Sequence, residues 1–432
     1  MTVLADPVAT SGEPHRTFGV KRLAIFTSHP IQYQAPLFRA LAASGHVEPT
    51  VYFGSRHGAD VAVDPGFGTA FRWDVPLLDG YEHVFLPNTA AKPDVSRFGG
   101  IRLSRPDAVL AAGRHDVLLV LGWQTLAHTQ MLRAAWRLGI PVILRGESTL
   151  QRTPSKGMRA VVRRAMWLPL RQRMYHAAFE RVDAFLVIGS RNRDYYRSFG
   201  VPDEKLFWAP YGVDNGWFAL PDASRASARA RIRAQLGVGE RTVVFASSAK
   251  LIARKRPLDL IDAVAELRRR DIDAHALFIG DGDARSEIES HAARNGMADA
   301  ISIAGFVNQR ALPDWYSATD ALVLPSDSRE TWGLVVNEAM AAGLPVVVSG
   351  AAGCSVDLVR TGENGFTYPC GDVPALAGRL AEIVSLGPEG RLAFGNRSRE
   401  IVQRFGTEVA ANATAAAVDA ICGGRTSTQG VR

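Results

Sequence analysis

Hydrophobic positions along the chain fall into two alternating kinds of run. Short stretches rich in Val, Ile, Leu and Phe are continuous in apolar character. In the first half they predict strands over Arg22–Thr27, Pro49–Phe53, Val117–Leu121, Pro141–Leu144, Ala184–Ile188 and Leu206–Pro210. In the second half they predict strands over Thr242–Ser247, His275–Ile279, Ile301–Ala304, Ala321–Leu324 and Pro345–Ser349. Strands without polar alternation are covered on both faces, the condition of a parallel sheet flanked by helices. The longer stretches between them carry helix punctuation. Pro257 stands where a first helical residue belongs, ahead of Leu258, Ile261, Val264, Ala265 and Leu267 at helical spacing. A helix over Leu334–Ala342 is stopped by Gly343 and Pro345.

The alternation restarts near Arg241, after a stretch from Tyr211 that is rich in Gly, Pro, Asp and Asn and then in Ala and Arg. The pattern predicts an α/β protein of two doubly wound, Rossmann-like domains, residues 21–215 and 216–400. Ligands in such sheets bind outside the carboxyl ends of the strands, so the cleft between the domains is the expected site. Residues 1–20 have no apolar core segment and read as a disordered leader, not a secretory signal. Residues 401–423 read as a C-terminal helix and 424–432 as a disordered tail.

With 432 residues, 47% hydrophobic and 22% charged, the chain is excluded from the disordered and fibrous classes over most of its length. No apolar run approaches the roughly 18 residues of a membrane span. Three cysteines, Cys354, Cys370 and Cys422, show no metal-ligand spacing and predict a reduced, cytoplasmic setting. Charge is unevenly divided: residues 1–217 hold 26 Lys and Arg against 18 Asp and Glu, and the remainder 24 against 25. Either the basic half meets an anionic partner (a phosphorylated acceptor, a membrane surface or nucleic acid) or it is a solvated arginine-rich surface. Lys156–Tyr175 carries six basic residues and no acid. It reads as a basic amphipathic helix in peripheral contact with the inner face of a membrane, as a grip on a phosphorylated acceptor, or as a helix packed on the first domain.

The most informative segment is Ser326–Val346. A strand enters a polar loop and then a helix starting near Gly333, whose first amides, on Gly333, Leu334 and Val335, are unpaired donors at a positive helix end. Gly333 lets an anion approach the backbone. Glu330 and Glu338 frame this start, and either carboxylate can accept hydrogen bonds from the hydroxyls of a sugar. Taken alone, Glu330 also reads as helix-dipole stabilisation and Glu338 as an ordinary helix charge. A second loop, Ser247–Pro257, sets Lys250 and Lys255 between a strand and a helix; these cations suit a diphosphate or form a surface cluster with Arg254 and Arg256. The string Asp281-Gly282-Asp283 reads as a turn, with Asp283 capping a helix that begins at Ala284, and Asp271-Ile272-Asp273 as the join between a helix end and a strand, each in preference to a metal site.

The Glu-x7-Glu spacing, with Glu-Ala-Met-Ala-x-Gly-x-Pro-Val at its end, resembles the donor motif of family 4 glycosyltransferases. These are retaining nucleotide-sugar transferases of the GT-B fold, two Rossmann-like domains facing a cleft with a C-terminal helix crossing back to the first. Ser247–Pro257 is similar to the family's Gly-Arg-Leu-x-x-x-Lys-Gly loop, with Lys250 at the usual arginine and Lys255 at the lysine. Phe278–Gly282, which includes Gly280, is similar to its Gly-x-Gly element. Gly305-Phe306-Val307 is similar to the loop against the nucleobase, with core packing as the other reading of Phe306 and Val307, and Pro210–Asp214 to the segment leading into the second domain.

The resemblance implies that Lys250 and Lys255 hold the leaving diphosphate, that Glu330 orients the sugar and that Glu338 binds the ribose hydroxyls. It implies a nucleoside-diphosphate sugar, with UDP or GDP as the expected carrier, as co-substrate, and neither a metal nor another cofactor. The acceptor would be a hydroxyl of a glycan, glycolipid or small metabolite, free, phosphorylated or lipid-linked. The first half departs from the family. Thr27–Phe38 keeps the strand–loop–helix order without the family's Gly-Gly pair, and His29, Gln32 and Gln34 either face the cleft or make turn hydrogen bonds. No histidine occupies Leu121–Gln124 or Arg145–Ser148, where relatives often carry one. Trp123 offers a stacking face, and Arg145 and Glu147 offer acceptor contacts; each can equally be structural. Other functions remain open: an epimerase or hydrolase of the same fold, a non-catalytic nucleotide-sugar binder, or a nucleic-acid-binding protein, for which no reader motif is present.

Overall fold

The computed structural model describes residues 20–60, 62–63, 70–71, 73–150 and 172–426. Strands β1 (Lys21–Thr27) and β2 (Val47–Phe53) open the first domain; β3 (Ala62–Val63) and β4 (Ala70–Phe71) form a separate antiparallel ribbon. β5 (Glu82–Phe85), β6 (Val117–Leu121), β7 (Val142–Arg145), β8 (Ala184–Val187) and β9 (Leu206–Trp208) follow. Seven strands make one parallel sheet in the order β5-β2-β1-β6-β7-β8-β9. The second domain holds β10 (Val243–Ser248), β11 (Ala274–Ile279), β12 (Ile301–Gly305), β13 (Ala321–Leu324), β14 (Val346–Ser349) and β15 (Gly365–Tyr368). Its parallel sheet has the order β12-β11-β10-β13-β14-β15. In both sheets the order reverses beside the first strand, which opens a crevice there.

The central strands are continuous apolar runs because both of their faces are covered. In β6, Leu118 and Val120 pack with Met131 and Ala134 of the helix Leu126–Leu138. Val117 and Leu119 face the other way, onto Leu37 and Phe38 of the helix Ala35–Ser44. The period of two along a strand divides one apolar run between two cores. Every predicted strand is present, with ends moved by a residue or two. The strands not foreseen are β3, β4, β5 and β15. β5 and β15 are sheet edges of four residues, β5 with alternating exposed positions and β15 opening on a glycine, so neither presents the long apolar run of a central strand. Residues 156–171 of the basic stretch, 1–19 of the leader and 427–432 of the tail lie outside the described residues.

The last helix, Thr407–Thr426, extends past residue 423 and returns to the first domain. Its Ala410, Ala411, Ala415, Ala417 and Val418 enter the core beside Leu37, Phe38 and Leu41. The chain therefore crosses between domains at Tyr211–Val213 and again near Phe405–Gly406, and the crossings touch through a Val213–Gly406 bridge. Gly212 permits that contact: a Cβ there would stand 1.8 Å from the Phe405 carbonyl oxygen.

Candidate active site in the interdomain cleft

Loops at the carboxyl ends of both sheets enclose a cleft of about 390 Å³, within the range of roughly 300–1,000 Å³ usual for small-molecule sites. The first domain contributes His29–Tyr33, His57 and Trp73; the second contributes Ser248–Lys250, Arg254, Lys255, Gly280, Phe306, Val307 and Glu338. The loop after β10 is clamped to the turn after β11: Ala249 N donates to Ile279 O at 3.0 Å and Leu251 N to Asp281 O at 2.9 Å. That clamp needs Gly280, with φ of 150° and room for no Cβ, since one would lie 1.9 Å from Ala249 O.

The polar loop after β13 ends at Gly333, which has φ of 107° and precedes the helix Leu334–Ala341 without a side-chain cap. A Cβ on Gly333 would meet Leu324 at 2.6 Å. Upstream, Glu330 is ion-paired with Lys255, both side chains being only 12–13% exposed. Arg254 stands 4.0 Å from the same carboxylate, and its carbonyl accepts from Asp327 N at 3.0 Å. One carboxylate thus anchors two cations from the loop after β10.

One turn into the helix, Glu338 is fully buried. Tyr33 of the first domain donates to its Oε1 at 2.9 Å, and Tyr316 to its Oε2 at 2.6 Å. Burial outweighs these bonds and pushes the Glu338 carboxyl up to about 7. Burial and the adjacent Glu338 likewise raise both phenols well above their ordinary value.

Lys250, Lys255, Gly280, Phe306, Val307, Val335 and Glu338 therefore line one cleft with His29 and Gln32. Glu330 joins through Lys255, and Gly333 and Leu334 lie at the helix start. Phe306 faces Trp73 across the cleft, ring centroids 6.2 Å apart. A second cavity of about 240 Å³ lies on the first-domain side and shares His29, Ile31 and Tyr33 with the first. Arg145, Glu147 and Gln34 line it. Gln34 accepts from Thr27 Oγ1 at 3.1 Å, and His29 Nδ1 lies 2.8 Å from Ser28 Oγ. Trp123 lines neither cavity; its ring packs among Tyr175, Phe179, Tyr195 and Tyr196.

Sequence reasoning did not single out Tyr33, Tyr316, Trp73 or Tyr211. A tyrosine adjacent to Gln32 and four residues from His29 was the available signal for Tyr33; Tyr316 sits near the end of the short helix Leu312–Ser317 and gave none. The expected helix cap at Asp283 is not formed. The helix is Arg285–Arg294, preceded by Ala284 with no side-chain cap bond, while Asp281 is bonded to Gly282 N and Arg285. Asp273 accepts from Thr242. Among the described residues, no helix is long and apolar enough to cross a membrane.

Residues 228–401 match the family model of glycosyl transferases group 1. Among curated proteins, the chain is 34% identical over 225 residues to a D-inositol 3-phosphate glycosyltransferase of Streptomyces griseus, covering 50% of this chain and 46% of that one. It is 29% identical over 241 residues to a GDP-mannose-dependent alpha-(1-6)-phosphatidylinositol monomannoside mannosyltransferase of Mycobacterium tuberculosis, covering 54% and 61%. The matched chain spans about half the length of these relatives. Among solved structures, HepE of Anabaena in complex with UDP has a TM-score of 0.70 at 18% identity, covering 93% of this chain and 100% of that one. Sucrose-phosphate synthase of Thermosynechococcus elongatus has a TM-score of 0.67 at 19% identity, covering 94% and 100%. The fold is GT-B, and residues 228–401 carry the sequence pattern of group 1 glycosyl transferases.

Proposed function

We propose that this protein is a retaining glycosyltransferase of the family 4 type, moving a sugar from a nucleoside diphosphate to an acceptor hydroxyl. The observation that carries the reading is the gathering, in one cleft, of Lys250, the Lys255–Glu330 pair, the helix start at Gly333 and the buried Glu338. Breaking the sugar–phosphate bond leaves charge on the diphosphate. Lys250, Lys255, Arg254 and the amides at the helix start stabilise it, and such contacts strengthen as charge develops. Glu330 keeps Lys255 in place before the donor arrives and then accepts from the sugar hydroxyls. Glu338 accepts from the ribose hydroxyls, with Tyr33 giving up its bond to Oε1. Phe306 and Trp73 supply apolar faces for the base. In the retaining reaction the leaving phosphate oxygen takes the acceptor's proton on the face it departs from, and the acceptor oxygen bonds to the anomeric carbon on that same face. The named transferase relatives support a transferase; the UDP of HepE and the GDP-mannose dependence of the mycobacterial relative support UDP or GDP as the carrier.

The test is thermal unfolding with UDP, GDP, ADP, dTDP and CDP. A ligand at about 100 times its dissociation constant adds about 2.7 kcal/mol, a rise of several degrees. One nucleotide is expected to give that rise, and Glu338→Ala to lose it. The corresponding sugar nucleotide should then yield a product with the donor's anomeric configuration, read by proton NMR. Sugar release to water at the same rate with and without acceptor would favour a hydrolase. No rise with any nucleotide, and none with their sugar conjugates, would overturn the reading.

A further inference from the structure

Arg145 closes β7 on the wall of the second cavity and is 8% exposed. Its Nη2 donates to Pro210 O at 3.3 Å, and its guanidinium lies 5.1 Å from the centre of the Tyr211 ring. Its Nη1 has no hydrogen-bond partner. The nearby Glu147 is exposed and takes the Tyr211 hydroxyl instead of the guanidinium. Among the described residues, Arg145 has no ion pair. The Glu147 carboxylate attracts the guanidinium without pairing with it, and a buried guanidinium with no paired anion is costly, because its lost hydration is incompletely replaced. Arginine stays protonated in such a place and offers a planar fork matched to carboxylate and phosphate. The cavity shares His29, Ile31 and Tyr33 with the donor cleft, so a group seated against Arg145 lies next to the donor site.

We infer that this cavity is the acceptor subsite and that it selects an acidic acceptor, whose phosphate or carboxylate pairs with Arg145 while a neighbouring hydroxyl reaches the donor cleft. This rests on the transferase reading, since it takes the adjoining cleft as the donor site. Glu147, bonded to Tyr211, borders the anion and opposes it by like charge, which disfavours anions that cannot reach Arg145.

The test is calorimetric titration of the full chain, at fixed ionic strength, with three ligands of one carbon skeleton: glycerol, glycerate and glycerol 1-phosphate. At least one acid is expected to bind saturably and glycerol not to; the acid that binds identifies the anion as carboxylate or phosphate. Arg145→Gln should weaken that binding at least tenfold. Glu147→Gln, at an exposed site that poses little risk to folding, should tighten it severalfold. Lys255→Ala should leave it unchanged, because that lysine belongs to the donor cleft. Binding of neither acid, equal binding of glycerol, or loss in Lys255→Ala with retention in Arg145→Gln would overturn the inference. Weaker or unchanged binding in Glu147→Gln would also count against it. Nucleoside diphosphate titrated into the same samples is expected to bind wild type and Arg145→Gln alike. Its failure to bind wild type would count against the donor cleft, not against this anion site.

Discussion

Glu338 has no exposed surface and accepts from two phenols, and burial outweighs those bonds, so its proton is held up to about pH 7. The neutral acid keeps one oxygen free to accept, but accepting from both ribose hydroxyls on its two oxygens requires the carboxylate. Donor binding is therefore expected to release a proton and to strengthen as pH rises through 7; calorimetry in buffers of different ionisation enthalpy reads both, and Glu338→Gln should abolish the pH dependence. The effect on stability has the same origin. The raised folded-state pKa favours the fold below the ordinary glutamate value near 4.5, and that contribution is lost as pH climbs towards 7. The loss should be about 1.4 kcal/mol per pH unit across that window, measured as the wild-type minus Glu338→Gln difference in denaturant unfolding. At Lys255 and Glu330, removing the carboxylate strips the nearly buried lysine of its ion pair, and removing the lysine leaves Glu330 to Arg254, 4.0 Å away. Either alanine variant should lower turnover by about 10²–10³-fold. The double variant should be more stable than the sum of the two single losses predicts, by about 0.5–3 kcal/mol in an unfolding cycle. Additive losses would show that the pair is not coupled.

The helix Leu334–Ala341 owes its position to Gly333. Its φ of 107° and the Leu324 side chain leave no place for a Cβ. Gly333→Ala should cost about 1–3 kcal/mol of stability and shift the first-turn amides, weakening nucleoside diphosphate binding beyond what the stability loss explains. Ligand-saturated and ligand-free melting curves separate the two. The same scale shows what was legible in the chain. Central strands announce themselves as apolar runs because they are covered on two faces, whereas β5, with exposed alternate residues, does not. The Pro257 helix start and the glycine at 333 were readable because helix termini have local chemistry. The cap assigned to Asp283 failed because Asp281 and the turn at Gly282 place the helix start after Ala284.

Across the whole molecule, the two domains are clasped on several sides of the cleft. Ser190 donates through N and Oγ to Asp357, at 2.9 and 2.5 Å. Arg191 donates to the carbonyls of Gly350 and Ala352, each at 2.7 Å. Arg310 N donates to Asp74 at 3.2 Å, and Tyr33 reaches Glu338. Tyr33 thus holds the carboxylate proposed to take the ribose hydroxyls. Tyr33→Phe should bind the nucleoside diphosphate more tightly, by up to about tenfold, the equivalent of one hydrogen bond to a charged group no longer broken. Weaker binding in this variant would mean that Tyr33 contacts the donor itself.

By itself the sequence determined the strand–helix alternation, the two parallel sheets and the clustering of lysine, glutamate and glycine residues in the loops after β10 and β13. These follow from local properties: which runs are apolar on both faces, where a helix can begin, and which side chains stand a few residues apart. Only the tertiary structure decided that Tyr33 meets Glu338 across 305 positions of chain, and that Trp123 is packed into an aromatic cluster away from the cleft. It also decided that Arg145 is buried with no ion pair among the described residues. Those facts depend on how two sheets are brought together by the crossings at Tyr211–Val213 and Phe405–Gly406, a geometry set by packing between segments far apart in the chain.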